Sequence, residues 1–253
     1  MKKTYMIWLA LLDWSSNISN GALIKLIQSL APNYMESLDT GVLSYQGEKV
    51  KRGYINLQTI ETQSWDSIEL YGGVKNKNDP AKNWRSYFLL RESPIRELMI
   101  CSSSDDISIN SIIHFLENAA LLGNLGYGYA STSDLGADTI YYMMGLTMGY
   151  PSNDEERHIA ARLSRWFKEK SSALSGNTSK KYLKGMQRGA FELNILNADH
   201  VSKLEDNHII TDENNNKRFG TLLELENGTF IWKLSSYEKI FAENEMFSRD
   251  LII

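Results

Sequence analysis

Three glycines stand close together in LLGNLGYGYAS, at Gly123, Gly126 and Gly128, and a phosphate cradle is the chemistry such a cluster suggests. A dinucleotide loop reads G-x-G-x-x-G after a strand and opens a helix, so that backbone N–H groups at the positive helix end meet the phosphate. Here the order is G-x-x-G-x-G, and an apolar helical stripe precedes the glycines. They therefore sit where helix carbonyls point outward, and that end repels phosphate. Gly123 reads as the residue that closes the helix, Gly126 as a turn, and Gly128 as a close-packing position between Tyr127 and Tyr129. No cofactor is expected.

The other reactive residue types give no familiar constellation. The histidines are His114, His158, His200 and His208. His114 and Glu117 share a helix face, yet no further ligand pair completes a metal site, so no metal is expected. His158 reads as solvated, and His200 as a cap after the strand FELNILN. Cys101, the single cysteine, lies in the apolar run LMICS and reads as a buried structural thiol. A nucleophile needs a base beside it, and neither G-x-S-x-G nor a partner motif for Cys101 occurs. Adjacent carboxylates such as Asp105 and Asp106 face different ways. No catalytic residue is assigned. The alternative is an enzyme with an unfamiliar site around His114, Tyr127 and Tyr129.

Charge narrows the partners. The chain of 253 residues carries a net charge of −4. Mild acidity argues against direct nucleic-acid binding, which calls for a basic face. The segment KNKNDPAKNWRSYF mixes lysines with Trp84 and Tyr87, but Asp79 interrupts it and it reads as a polar loop. The N-terminal run TYMIWLALL follows two lysines, as in an export signal, but Asp13 and Trp14 follow at once without a small-residue cleavage site. It reads as a buried strand, too short to span a bilayer. A cytoplasmic protein with no membrane association is expected.

The elements that hold these residues are expected to be as follows. A strand covers 5–12, and a helix 21–31 is capped by Asn20 and stopped by Pro32. A strand is placed at 53–59, a short helix at 61–71, and strands at 86–93 and 94–102. Ile109, Ile112, Ile113, Leu116, Ala119 and Ala120 form one helix face, capped by Ser108 or Asp106. Ser152 and Glu155 form a capping box for a helix ending near Lys170, with Ile159, Leu163, Trp166 and Phe167 as its buried face. A short helix follows between 178 and 189, then a strand at 191–197. A hairpin turns at Asn227-Gly228 within 220–234, and a helix covers 237–250. The expected class is α+β, a mixed and mostly antiparallel sheet with packed helices. No linker interrupts the chain, so 1–253 is read as one unit, with two tightly joined lobes at about 1–150 and 151–253 as the variant.

Aromatic residues in polar settings and the acidic stretch LEDNHIITDENNN (204–216), read as a loop, suggest a protein-binding surface. The interface candidates are Trp65, Trp84, Tyr150, Glu205, Asp206, Asp212 and Glu213, chosen on charge and expected exposure.

The C-terminal third carries RGAFELNILNADHV, GTLLELENGTFIWKL and YEKIFAENEMFSRDLI. This succession resembles predicted bacterial immunity proteins that neutralise polymorphic or type VI secreted toxins, and the family called immunity protein 52 in particular. Arg188, Asn194, Leu196, His200, Gly220, Leu222 and Trp232 occupy the pattern positions, and LGYGYAS is similar to the group's aromatic-glycine strand. The resemblance implies an α+β protein that binds a cognate toxin domain, often a nuclease-type one, made in the same cell. Its pattern residues are mostly apolar, glycine or turn residues, and so concern the fold and not the toxin contact. A mildly acidic inhibitor suits a basic nuclease-type domain. The remaining alternative is an adaptor of a secretion system.

Overall fold

The computed structural model describes residues 6–16, 18–61, 64–73, 84–92, 96–103, 106–133, 139–146, 154–174, 180–211, 214 and 216–253. A ten-stranded sheet forms its middle layer. In chain order the strands are β1 (Met6–Ser16), β2 (Leu38–Tyr45), β3 (Glu48–Tyr54), β4 (Ser67–Gly72), β5 (Ser86–Arg91), β6 (Glu97–Ser103), β7 (Gly123–Ser133), β8 (Leu193–Leu196), β9 (Thr221–Glu224) and β10 (Phe230–Lys233). Across the sheet they run β3-β2-β4-β5-β6-β1-β7-β8-β10-β9, and every pair is antiparallel. The α+β class is thus as expected.

Helices cover both faces, and the chain divides between them. On one face lie α1 (Asn20–Leu30), α2 (Pro32–Glu36), α3 (Leu57–Glu61) and α4 (Ile109–Leu121), packed against Ile7, Leu9 and Leu11 of β1. On the other lie α5 (Thr139–Met144), α6 (Asp154–Leu174), α7 (Ala198–Asp206) and α8 (Ser236–Ser248), packed against Met6, Trp8, Ala10 and Leu12. This double cover explains the apolar runs WLALL, YFLL and LMIC. A strand buried on both sides needs no polar alternation. Trp8 anchors the second face with edge-to-face contacts to Tyr129 at 5.6 Å and Phe191 at 5.5 Å.

Several boundaries differ from the sequence expectation. The strand placed at 53–59 is β3, which ends at Tyr54, and Leu57–Glu61 is helical. Its partner β2 turns into it through Gln46 and Gly47, both at positive φ, the geometry of a tight hairpin. The stretch 61–71 contains β4 instead of a short helix, because Ile68, Leu70 and Gly72 alternate inward between β2 and β5. Ser19, not Asn20, caps α1, and Pro32 opens α2, where a missing N–H costs nothing. Gly126 lies within β7 and not in a turn. Among the described residues between 178 and 189, the helical part is only a 3-10 turn, Lys181–Leu183. The stretch 204–216 begins inside α7.

On α6 the expected apolar face is only partly buried. Trp166 and Lys170 face the sheet, whereas Ile159 and Phe167 are exposed. The helix is so rich in charge that one narrow stripe meets the core. Ser152 of the expected capping box lies outside the described residues.

Candidate functional site

The three residues of the enzyme alternative are not brought together. His114 is exposed on α4, 3.4 Å from Glu117, while Phe115 and Leu116 pack into the first face. Tyr127 and Tyr129 point into the opposite face, so the sheet separates them from His114. Both tyrosines are committed to structure. The Tyr127 hydroxyl accepts from the Arg188 backbone N–H at 2.8 Å. The Tyr129 hydroxyl donates to the Met143 carbonyl at 3.2 Å and accepts from Arg188 Nη1 at 3.0 Å. Burial raises both phenols, Tyr127 well above its ordinary range, against the pull of Arg188, so they serve as hydroxyls and not as phenolates.

Two further charges on this face are paired with each other. Lys170 of α6 forms a buried ion pair with Glu97 of β6, and Arg91 reaches the other Glu97 oxygen at 3.1 Å. Burial lowers the Lys170 ammonium, and Glu97 opposes that shift. Cys101 is buried on β6, and burial raises its thiol. Among the described residues, no three His, Cys, Asp or Glu side chains gather as a metal site.

His200 does cap its helix. Asn197 Oδ1 accepts from the His200 N–H at 3.1 Å, and His200 Nδ1 accepts from the Asn197 N–H at 3.3 Å, a reciprocal capping box. The ring is fully buried and stacks on Tyr127 at 5.0 Å. Burial lowers its pKa to about 4. The other pattern residues are interior as well, except Leu222, which is half-buried. Asn194 pairs with both backbone groups of Phe191, at 3.0 and 2.8 Å, and Trp232 Nε1 donates to the Phe219 carbonyl at 3.1 Å. Gly220 has a φ of 68°, and a Cβ there would lie 2.4 Å from the Lys233 carbonyl oxygen. These residues build the C-terminal third and leave its surface to others.

The exposure expected of the two tryptophans is absent. Trp65 and Trp84 are 4% and 6% exposed. Each stands just before a strand, β4 or β5, and folds inward although its neighbours are polar. Trp84 packs on Tyr87 at 5.8 Å. Glu205 and Asp206 are exposed in the last turn of α7. Tyr150, Asp212 and Glu213 lie outside the described residues.

The exposed apolar surface is elsewhere, on α8. Tyr237, Ile240, Phe241 and Phe247 are 71%, 59%, 42% and 55% exposed. Their spacing, i, i+3, i+4 and i+10, places them on one side of the helix, opposite the buried Ala242 and Met246. The Tyr237 and Phe241 rings touch, with centroids 4.5 Å apart. The spacing is visible in the sequence, but it reads equally well as a buried face. Beside this stripe a cleft opens between α5, α6 and α8. Arg188 and Gly189 form its floor, and Tyr142, Leu163, Arg162 and Glu243 its walls. Arg162 and Glu243 pair across it at 2.7 Å.

Among the described residues no helix is long and apolar enough to cross a membrane. No protein-family model and no curated protein matches the chain. Among solved structures, the chain is similar to the Pseudomonas aeruginosa T6SS protein PA0821, with 12% identity and a TM-score of 0.52 over 95% of this chain and 73% of that one. At that identity the likeness concerns the fold.

Proposed function

We infer that this chain is an immunity protein that binds a cognate secreted toxin domain in the cytoplasm and neutralises it by occlusion. The observation that carries the reading is the outward apolar face of α8. Four large apolar side chains on one exposed helix face form a patch that monomeric proteins rarely leave open, and aromatic residues dominate binding hot spots. That face belongs to the same C-terminal third that resembles immunity proteins. The fold likeness to a T6SS protein is in keeping with it. An inhibitor of this kind needs a rigid scaffold, and the ten-stranded sheet with helices on both faces is one.

A nuclease-type partner with a basic surface suits the net charge of −4. The test is calorimetric titration with the toxin domain encoded beside the gene, carrying an inactivating substitution. A 1:1 complex on the order of nanomolar or tighter is expected. Absence of binding overturns the reading. A secretion adaptor would also use an apolar face, but its loss would impair secretion without self-poisoning.

A further inference from the structure

The floor of the cleft holds a cation without a counter-ion. Arg188 is buried, and no carboxylate among the described residues lies within ion-pair distance of it. Its Nη1 donates to Tyr129 Oη and to the Met143 carbonyl at 2.9 Å, and its Nη2 donates to the Tyr142 carbonyl. All of these acceptors are neutral. A guanidinium has five N–H groups, so two remain without a protein acceptor. The rings of Tyr129, Tyr142, Trp166 and Phe191 lie 4.7 to 6.0 Å from its central carbon and hold it in place. The nearest buried carboxylate on this face, Glu97, is already shared by Lys170 and Arg91.

The mouth of the cleft has the opposite character. Ile159 of α6 is exposed at its edge. Glu243 of α8 stands three residues after Ile240 and four before Phe247, so the exposed apolar stripe adjoins the cleft. An apolar rim around a desolvated charge is the arrangement of a hot-spot pocket. A buried charge lacking a partner is costly, and a carboxylate taken by a fixed guanidinium forms short, charge-assisted bonds.

We propose that this cleft receives the side-chain carboxylate of an acidic residue from the bound toxin domain, with Arg188 binding it at the floor and Arg162 exchanging Glu243 for it at the wall. This rests on the reading of the protein as a toxin binder, and the test is free of toxin. Gly189 makes the test practicable. A Cβ built there meets nothing nearer than Glu243 Oε1 at 3.6 Å, so Gly189→Leu plugs the cleft without moving backbone.

The probe is N-acetylglutamate methylamide, titrated while the Arg188 Nε–Hε resonance is followed by NMR. A saturable shift is expected with half-saturation on the order of 1 to 10 mM, the scale for so small a ligand. The glutamine analogue, and the glutamate probe on Gly189→Leu, should each bind at least tenfold more weakly. Arg162→Met, on a half-buried wall, should weaken binding several-fold and replaces Gly189→Leu if that variant melts early. The proposal fails if no shift saturates, if the glutamine analogue binds equally, or if only N-acetylglycylglycine, whose carboxylate is C-terminal, binds. A toxin that does not bind at all overturns the immunity reading and leaves this result standing.

Discussion

Asp13 of β1 and Gly126 of β7 touch across the strand pair, and each explains the other. Asp13 has a φ of 57°, left-handed in mid-strand, and the residues on either side of it, Leu12 and Trp14, both enter cores, on opposite faces of the sheet. Its carboxylate accepts from Tyr182 Oη at 2.6 Å and from Lys180 Nζ at 2.7 Å. Those bonds hold a conformation that an L-residue otherwise avoids. The opposing position must then lack a side chain. A Cβ on Gly126 would lie 2.9 Å from both the Asp13 Cβ and its carbonyl oxygen. Gly126→Ala is expected to lower stability by about 1 to 3 kcal/mol, the usual cost of overpacking. Urea denaturation measures it, and an unchanged midpoint would show that the contact yields freely.

The buried Lys170–Glu97 pair predicts a non-additive cycle. Removing Glu97 leaves Lys170 charged and buried, so Glu97→Gln should cost roughly 3 to 5 kcal/mol, and Lys170→Met less, since Arg91 still pairs with Glu97. The double variant should lose far less stability than the sum of the two single losses. Strict additivity in denaturant would mean that the two charges are solvated independently.

His200 predicts a specific acid sensitivity. Its folded pKa, about 4, lies below the ordinary 6.5, so the unfolded chain takes up the proton first. The stability this neutral ring contributes is therefore complete above about pH 6.5 and is lost as pH falls toward 4. The full effect is roughly 3 kcal/mol. Subtracting the pH profile of His200→Asn from that of the parent between pH 7 and 4 isolates it. Parallel profiles would show that the ring is protonated in the fold.

The elements legible in the sequence are those whose own residues decide them. β1, β5 and β6 announce themselves as apolar runs, α4 by its stripe, and the β9–β10 hairpin by Asn227-Gly228. The β2–β3 hairpin turns on Gln46-Gly47, a weak local signal, and β4 owes its strand form to the pairing partners on both sides. The site was harder to read for the same reason. Trp65, Trp84 and the α8 aromatics have similar local settings, and only the assembled layers turn the first two inward and the others outward. Arg188 stands in the resemblance pattern, but its lack of a counter-ion is a property of three helices and a strand together.

The last prediction separates surface from core on α8. Tyr237, Ile240, Phe241 and Phe247 are exposed, so Ile240→Ser and Phe241→Ser should each change stability by no more than about 0.5 kcal/mol. Helix propensity is nearly unchanged by either substitution. If the face binds the toxin domain, the same substitutions remove buried contact area at the centre of the interface. Each should then weaken the complex by at least about 1 to 2 kcal/mol, roughly tenfold or more in Kd. The control lies on the opposite face of the sheet. Leu121 of α4 is also exposed and apolar, and Leu121→Ser should leave binding unchanged. Parallel melting curves and titrations of the three variants decide the matter. Equal losses of affinity in all three would mean that the effect is general and that α8 is not the docking face.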